Sequence, residues 1–198
     1  MTLFFYACVS LDGYLADKNH GLQWLHQIGS IEETSYAAFY DQMDILLMGK
    51  KTYDAIKNVE DLASFYGQTK NIVFTHQKGL THPLFEFVSA DILTFVSQLP
   101  KDKNTWIVGG NTLVAPLLDA QRIDKIYLQI APVLLGAGIP LFTQKEGVQQ
   151  FTLLETKQYG QFAELVLEKL TRPEQENDAS VKKYDRNPLK TTRFYGYR

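Results

Sequence analysis

Ile107-Val108-Gly109-Gly110-Asn111-Thr112-Leu113 runs an apolar strand into two glycines and then into the start of a helix. Without Cβ atoms at the turn, the backbone can bend tightly and come close to a ligand. The helix opening near Asn111 aims free N–H groups and the positive end of its dipole at whatever lies above the strand. A pyrophosphate suits that place, and so does a plain strand-to-helix turn with no ligand. The pattern recurs at Ile45-Leu46-Leu47-Met48-Gly49-Lys50-Lys51-Thr52-Tyr53, now with two lysines and a threonine in the first helical turn. Cations there oppose the macrodipole, so they ask for an anion. A third strand, Asn71-Ile72-Val73-Phe74, ends in Thr75 and His76, with Lys78 just beyond.

Working outward from these three strand ends, the chain alternates. Leu3 to Ser10 is a nearly continuous apolar run, the signature of a strand buried on both faces. Ser30 to Met43 has helical periodicity, as does Asn111 to Ala120, while Phe85 to Val88 and Ile123 to Ile130 read as strands. Leu153 to Gln158 and Phe162 to Lys169 flank Tyr159-Gly160 as a hairpin. This order predicts an α/β fold with a mostly parallel sheet, helices on both faces and a C-terminal antiparallel hairpin. Ligands of such sheets bind outside the carboxyl ends of the strands, where the three glycine- or hydroxyl-bearing ends converge. Neither Gly49-Lys50-Lys51-Thr52 nor Gly136-Ala137-Gly138 completes a P-loop or a dinucleotide fingerprint.

Composition excludes several classes. The 198 residues are 45% hydrophobic and 21% charged with a formal net charge of −2, which offers no global attraction to nucleic acid or to an acidic membrane. No apolar stretch approaches the ~20 residues of a membrane span, and the first residues carry no basic leader, so a cytoplasmic location is expected. The single cysteine, Cys8, sits in an apolar run and reads as an inert buried thiol. Four scattered histidines offer no metal-ligand spacing, so no metal is expected.

Two carboxylates are candidates for proton chemistry. Asp12 follows the first strand in Ser10-Leu11-Asp12-Gly13, which also suits an ordinary Asp-Gly turn. Ser30-Ile31-Glu32-Glu33 fits a capping box that occupies Glu33 and leaves Glu32. At 100° per residue, Glu32 shares a helical stripe with Tyr36, Phe39, Tyr40 and Met43. If that stripe faces the ligand edge, Glu32, Tyr36 and Tyr40 border the substrate; an aromatic stripe of this kind also suits a core. Trp24, in an otherwise polar loop, is a candidate wall for a planar ring.

Together these residues resemble the dihydrofolate-reductase-like superfamily, and within it the C-terminal reductase domain family of the riboflavin-biosynthesis protein RibD. The resemblance is carried, in order, by Ser10-Leu11-Asp12-Gly13, Gln23-Trp24, Met48-Gly49-Lys50-Lys51-Thr52-Tyr53, Val108-Gly109-Gly110, Asp124-Lys125-Ile126, Ala131-Pro132-Val133-Leu134-Leu135-Gly136 and Pro140-Leu141-Phe142. It implies a three-layer dihydrofolate-reductase-like domain over residues 1–170, with a central sheet of about eight strands. It implies an NADPH-dependent reductase acting on a pteridine- or pyrimidine-type substrate. By motif, Gly49, Lys50, Lys51 and Thr52 would take cofactor phosphates. Thr75 and His76 would lie near the adenosine 2′-phosphate, and Gly109, Gly110, Asn111, Thr112 and Leu113 would hold the pyrophosphate. Asp12 and Trp24 would border nicotinamide and substrate, with Asp12 or Glu32 assisting protonation. Where RibD-type reductases continue with Asp-x-Pro-x-Leu-Thr, this chain has Tyr53-Asp54-Ala55-Ile56-Lys57, a continuing helix as in dihydrofolate reductases. The alternative is a non-catalytic nucleotide-binding or structural dimer that keeps the fold.

Residues 171–198 form a polar extension, with seven basic and four acidic residues, a net of +3 against −5 for the rest. A homodimer is expected at the side of the sheet carrying Ile123 to Ile130 and the last hairpin. The extension, anchored by Phe194, Tyr195 and Tyr197, would reach over a neighbouring surface.

Overall fold

The computed structural model describes residues 1–143 and 147–170. Its centre is strand β1 (Thr2–Ser10), buried along almost its whole length. Leu3, Phe5, Ala7 and Val9 enter one core, while Phe4 and Tyr6 enter the other. Period-two alternation explains the division, and a strand apolar on both faces needs a layer on each side. Around β1 lie β3 (Ile45–Gly49), β4 (Lys70–Phe74), β5 (Phe85–Val88), β6 (Asn104–Gly109), β7 (Lys125–Ala131), β9 (Phe151–Tyr159) and β10 (Phe162–Lys169). They form one eight-stranded sheet in the order β5-β4-β3-β6-β1-β7-β10-β9. All neighbours from β5 to β7 are parallel, and β10 and β9 are added antiparallel. The α/β class, the mostly parallel sheet and the closing hairpin are as the sequence predicts.

Helices α5 (Ile92–Ser97) and α6 (Asn111–Asp119) cover the first face with Ile92, Val96, Leu113, Leu117 and Leu118. On the second face, α2 (Tyr36–Tyr40), α3 (Lys50–Ile56) and α4 (Leu62–Tyr66) contribute Phe39, Tyr53 and Leu62. Fully burying each such side chain contributes about 1.5–3 kcal/mol. A short helix, α1 (Gln23–His26), carries Trp24. The strands β2 (Tyr14–Asp17) and β8 (Gly138–Pro140), too short to stand out in the sequence, pair as a separate ribbon.

One expected element is corrected. The periodic stretch from Ser30 to Met43 is not one helix but a 3-10 turn, Ile31–Glu33, followed by α2. Thr34 between them is extended, with φ −111° and ψ 179°. Its hydroxyl donates to the Ile31 carbonyl at 2.6 Å and accepts from the Tyr36 amide at 3.2 Å. A β-branched hydroxyl residue offers the backbone this local alternative to the helical ladder. Among the described residues, no helix is long and apolar enough to cross a membrane. The extension expected at 171–198, with its aromatic anchor, lies outside the described residues.

Candidate active site

Because β1, β3, β4, β6 and β7 are parallel, their carboxyl ends share one edge of the sheet. The two glycine turns are back to back there: a Cβ on Gly49 would sit 3.5 Å from the Gly110 nitrogen. Gly109 has φ +126°, in the region that favours glycine, and the Gly109–Gly110 peptide is cis. A Cβ added to Gly109 or to Gly110 would meet no atom within 4 Å, so this backbone faces open space. It forms one wall of a cleft whose other walls include Tyr6, Leu15 and Thr52.

Helix α6 opens into that cleft. Gly110 caps it without a side chain, and the Leu113 and Val114 amides return to the Gly110 carbonyl. The Asn111 and Thr112 amides are left without a backbone partner among the described residues. Asn111 donates through Nδ2 to Thr143 at 3.0 Å, while its buried Oδ1 has no partner. Bare amides and a cradle that any side chain would fill fit the phosphates of a dinucleotide, whereas Asn111 Oδ1, an acceptor, asks for a donor such as a ribose hydroxyl. Leu113 contributes only its place in the core, where it is buried.

The remaining predicted cofactor residues divide. Thr52 lines the cleft. Lys50 finds its anion within its own helix, pairing with Asp54 at 2.5 Å, and Lys57 joins the same carboxylate at 2.9 Å. Lys51 is exposed and makes no ion pair among the described residues. On the next strand, Thr75 accepts from the Gln77 amide, and the His76 ring lies 3.0 Å from Ser89 Oγ on an exposed surface.

Neither candidate carboxylate holds a proton ready for transfer. Asp12 Oδ1 accepts from Ser10 Oγ at 2.6 Å and from the Leu135 amide, and Oδ2 accepts from the Gly136 amide at 2.7 Å. The Ser10 hydroxyl first, then these amides, hold the Asp12 carboxyl below the usual carboxylate range. Glu32 lies on the exposed 3-10 turn, where the Ser30 hydroxyl likewise holds its carboxyl low. The capping box places Glu33 Oε2 3.2 Å from the Ser30 amide. Since the helix breaks at Thr34, Glu32 does not share a stripe with Tyr36 and is not brought to the cleft.

Tyr36 and Tyr40 stack on each other with centroids 5.9 Å apart, and both meet Trp106 edge-on. The Tyr40 hydroxyl bonds the Phe65 carbonyl and Thr69 Oγ1, and burial pushes the Tyr36 phenol well above its usual range. These rings belong to the aromatic layer on the second face rather than to the cleft wall. Trp24 is 9% exposed and packs on Ala131 and Phe162, with its indole Nε1 unpartnered. Burial pushes the Cys8 thiol up to about 12, so it is a poor nucleophile.

Residues 1–165 match the family model of the RibD C-terminal domain. The chain belongs to the RibD C-terminal domain family. It is similar to the uncharacterized protein YwjB of Bacillus subtilis (strain 168), 29% identical over 162 residues that span 81% of this chain and 93% of YwjB. It is also similar to the uncharacterized protein YyaP of that strain, 30% identical over 146 residues, 68% of this chain and 76% of YyaP. In fold it matches a Shewanella sp. PV-4 protein named for riboflavin biosynthesis, with TM-score 0.74 and 23% identity over 86% of this chain and all of that one. A Thermotoga maritima diaminohydroxyphosphoribosylaminopyrimidine deaminase/5-amino-6-(5-phosphoribosylamino)uracil reductase shares the fold at TM-score 0.65 and 14% identity. That alignment covers 85% of this chain and 56% of the longer enzyme.

In this member of the RibD C-terminal domain family, one polar cluster went unnoticed in the sequence. Glu164 on β10 is 1% exposed, the one buried carboxylate among the described residues. Its Oε2 accepts from Ser35 Oγ and, at 3.2 Å, from Gln129 Nε2. Ser35 Oγ in turn lies 3.3 Å from the Tyr6 hydroxyl. A signal was present: Phe162, Glu164 and Val166 alternate on one face of the strand, so the carboxylate takes a core register.

Proposed function

We propose that the protein is an NADPH-dependent reductase that delivers a hydride to a pteridine- or pyrimidine-type ring. The observation that carries this is the open glycine cradle of Gly109 and Gly110, with the free Asn111 and Thr112 amides behind it. Bound NADPH would supply the hydride. The chain's own part is to seat the diphosphate on α6 and beside Thr52, and to hold a planar ring against the β1 edge near Trp24. Lys51, Thr75 and His76 are the groups available to a further phosphate, while Lys50 is engaged by Asp54. Membership of the RibD C-terminal domain family supports the reductase class. Titration of NADPH fluorescence tests it: micromolar binding, tighter than for NADH, is expected. Binding weaker than millimolar, or equal for the two cofactors, overturns it.

A second reading, a nucleotide-binding module without chemistry, is favoured by the placement of the two carboxylates: Asp12 is engaged by Ser10, Leu135 and Gly136, and neither it nor Glu32 lines the cleft. NADPH oxidation measured with dihydrofolate and with aminopyrimidine ribosyl phosphates separates the two. Turnover with either supports the reductase, and binding without turnover on both supports the module.

We also propose a homodimer through the hairpin side of the sheet. Strand β9 is exposed along nearly its whole length and forms the sheet's edge. Leu153 and Leu154, 54% and 48% exposed, sit at a register shift where Leu154 has no partner on β10. An exposed apolar edge strand invites pairing with a second chain.

A further inference from the structure

Strands β7, β10 and β9 sort their side chains against the usual rule for a sheet with one wet face. Phe5, Ala7 and Val9 enter the first core, and their partners on β7 are Ile126, Leu128 and Ile130. These pair in turn with Leu167, Leu165 and Ala163 on β10, and those with Leu153, Thr156 and Gln158 on β9. Paired residues share a face, so apart from Thr156 and Gln158 the first face of these strands is apolar at every one of these positions, and none is charged. The charges alternate to the second face, where Lys125 meets Glu168 and Lys157 meets Glu155. Lys169, at the end of β10, is drawn off to Asp124.

A sheet face left to water ordinarily takes the polar residues, and the covered face the apolar ones. Here the covering is the other way round. Trp24 packs on Phe162 and Ser35 bonds Glu164 on the second face, which holds the charges. On the first face, helix α6 lies over β6 and β3. Beyond it Leu128, Ile130, Leu165 and Leu167 are only half-buried, and Leu153 and Ala163 are exposed. Leu165 joins none of the three apolar cores among the described residues.

The size of this face can be worked from strand geometry. Three strands ~4.8 Å apart, with three rows of side chains ~6.7 Å apart, make a tablet of about 14 by 20 Å, or about 300 Å² in projection. That reaches the range of apolar patches that mark an interaction site. The relief of the side chains and a rim of Thr156, Gln158 and the β9 edge enlarge it towards the ~800 Å² per partner of a standard interface. An uncharged apolar face repels no copy of itself, and a two-fold axis needs only one such surface.

Resting on the homodimer reading, we infer that the second copy is seated on this face, sheet against sheet, with the β9 edge at its rim. Leu128, Leu165 and their neighbours interdigitate with the same face of the second copy at the ~10 Å spacing of packed sheets. The second face, with its ion pairs, stays outside the interface.

Sedimentation velocity on the whole chain at micromolar concentration tests this. Leu165→Lys and Thr156→Lys each put a charge into the face, and each acts twice in a two-fold interface. Both are expected to weaken the dimer about 100-fold or more, with the far-UV circular dichroism of the wild type. Thr156 is exposed, so its variant decides alone if Leu165→Lys does not fold. Thr152→Lys, exposed on the second face of the same strand, is the control and is expected to stay dimeric. A dimer that survives both first-face lysines overturns the inference and leaves the homodimer reading to the β9 edge. A dimer broken equally by Thr152→Lys also overturns it, because the effect then ignores the face. A monomeric wild type overturns the homodimer reading itself, and this inference with it.

Discussion

Substituting the two glycines of the cradle separately divides backbone strain from ligand fit. At Gly110, φ is −79°, which any residue adopts, and an added Cβ meets nothing within 4 Å. Gly110→Ala should therefore leave the melting temperature within about 2 °C of wild type. A phosphate oxygen bonded to the neighbouring amides must sit ~2.9 Å from nitrogen, whereas the new methyl holds it off at ~3.5–4 Å. Losing one charge-assisted bond in this way costs roughly 1.5–3 kcal/mol, so NADPH affinity should fall about 10- to 100-fold. At Gly109, φ is +126°. Gly109→Ala should show the same loss of affinity plus roughly 1–3 kcal/mol of backbone strain, or about 2–10 °C in Tm. Differential scanning fluorimetry and NADPH fluorescence titration read the two effects on the same samples. NADPH affinity unchanged in Gly110→Ala would refute the assignment of the cradle to the cofactor. Equal melting temperatures for the two variants would refute the strain argument.

Three further outcomes are expected. Phe39→Ala, which removes a fully buried ring packed edge-on against Trp106 and within 5.0 Å of the Tyr127 centroid, should cost about 3–5 kcal/mol in a urea titration. Asp44, held below its ordinary range by Lys103 at 2.9 Å and by the Asn104 amide, contributes stability that is present above the unfolded pKa of ~3.9. That stability is lost as pH falls through the lower folded value, so the wild-type melting temperature should drop below about pH 4 and Asp44→Asn should drop less. For assembly, light scattering at micromolar concentration should give a dimer mass for the wild type and a monomer mass for Leu154→Lys; a monomeric wild type removes the dimer.

The sequence spoke most clearly where a single local rule decides the outcome. Apolar runs ending at Gly49 and Gly109 could only be strands entering helices, and the Tyr159-Gly160 turn between two alternating runs could only be a hairpin. It misled where two rules compete. From Ser30 to Met43 the helical spacing of apolar residues is real, yet the Thr34 hydroxyl captures the Ile31 carbonyl and breaks the helix. Lys50 looked like half of an anion site because its partner Asp54 is one turn away, a relation that a motif reading passes over. Glu164 was hidden for a different reason. A charge inside an alternating strand reads as solvent-facing until the register of β10 against β7 shows that its neighbours on that face are buried.

The Asp12 carboxylate has a mechanical meaning beyond its own charge. It grips the Leu135 and Gly136 amides, while the Leu11 amide reaches the Val133 carbonyl and the Leu141 amide reaches the Gly13 carbonyl. The ribbon of β2 and β8 continues the same seam. The segments around residues 11–17 and 133–141, more than a hundred positions apart in the chain, are thus laced together. Neither can open locally without breaking bonds that hold the other. Amide exchange in the two segments should consequently rise and fall in step.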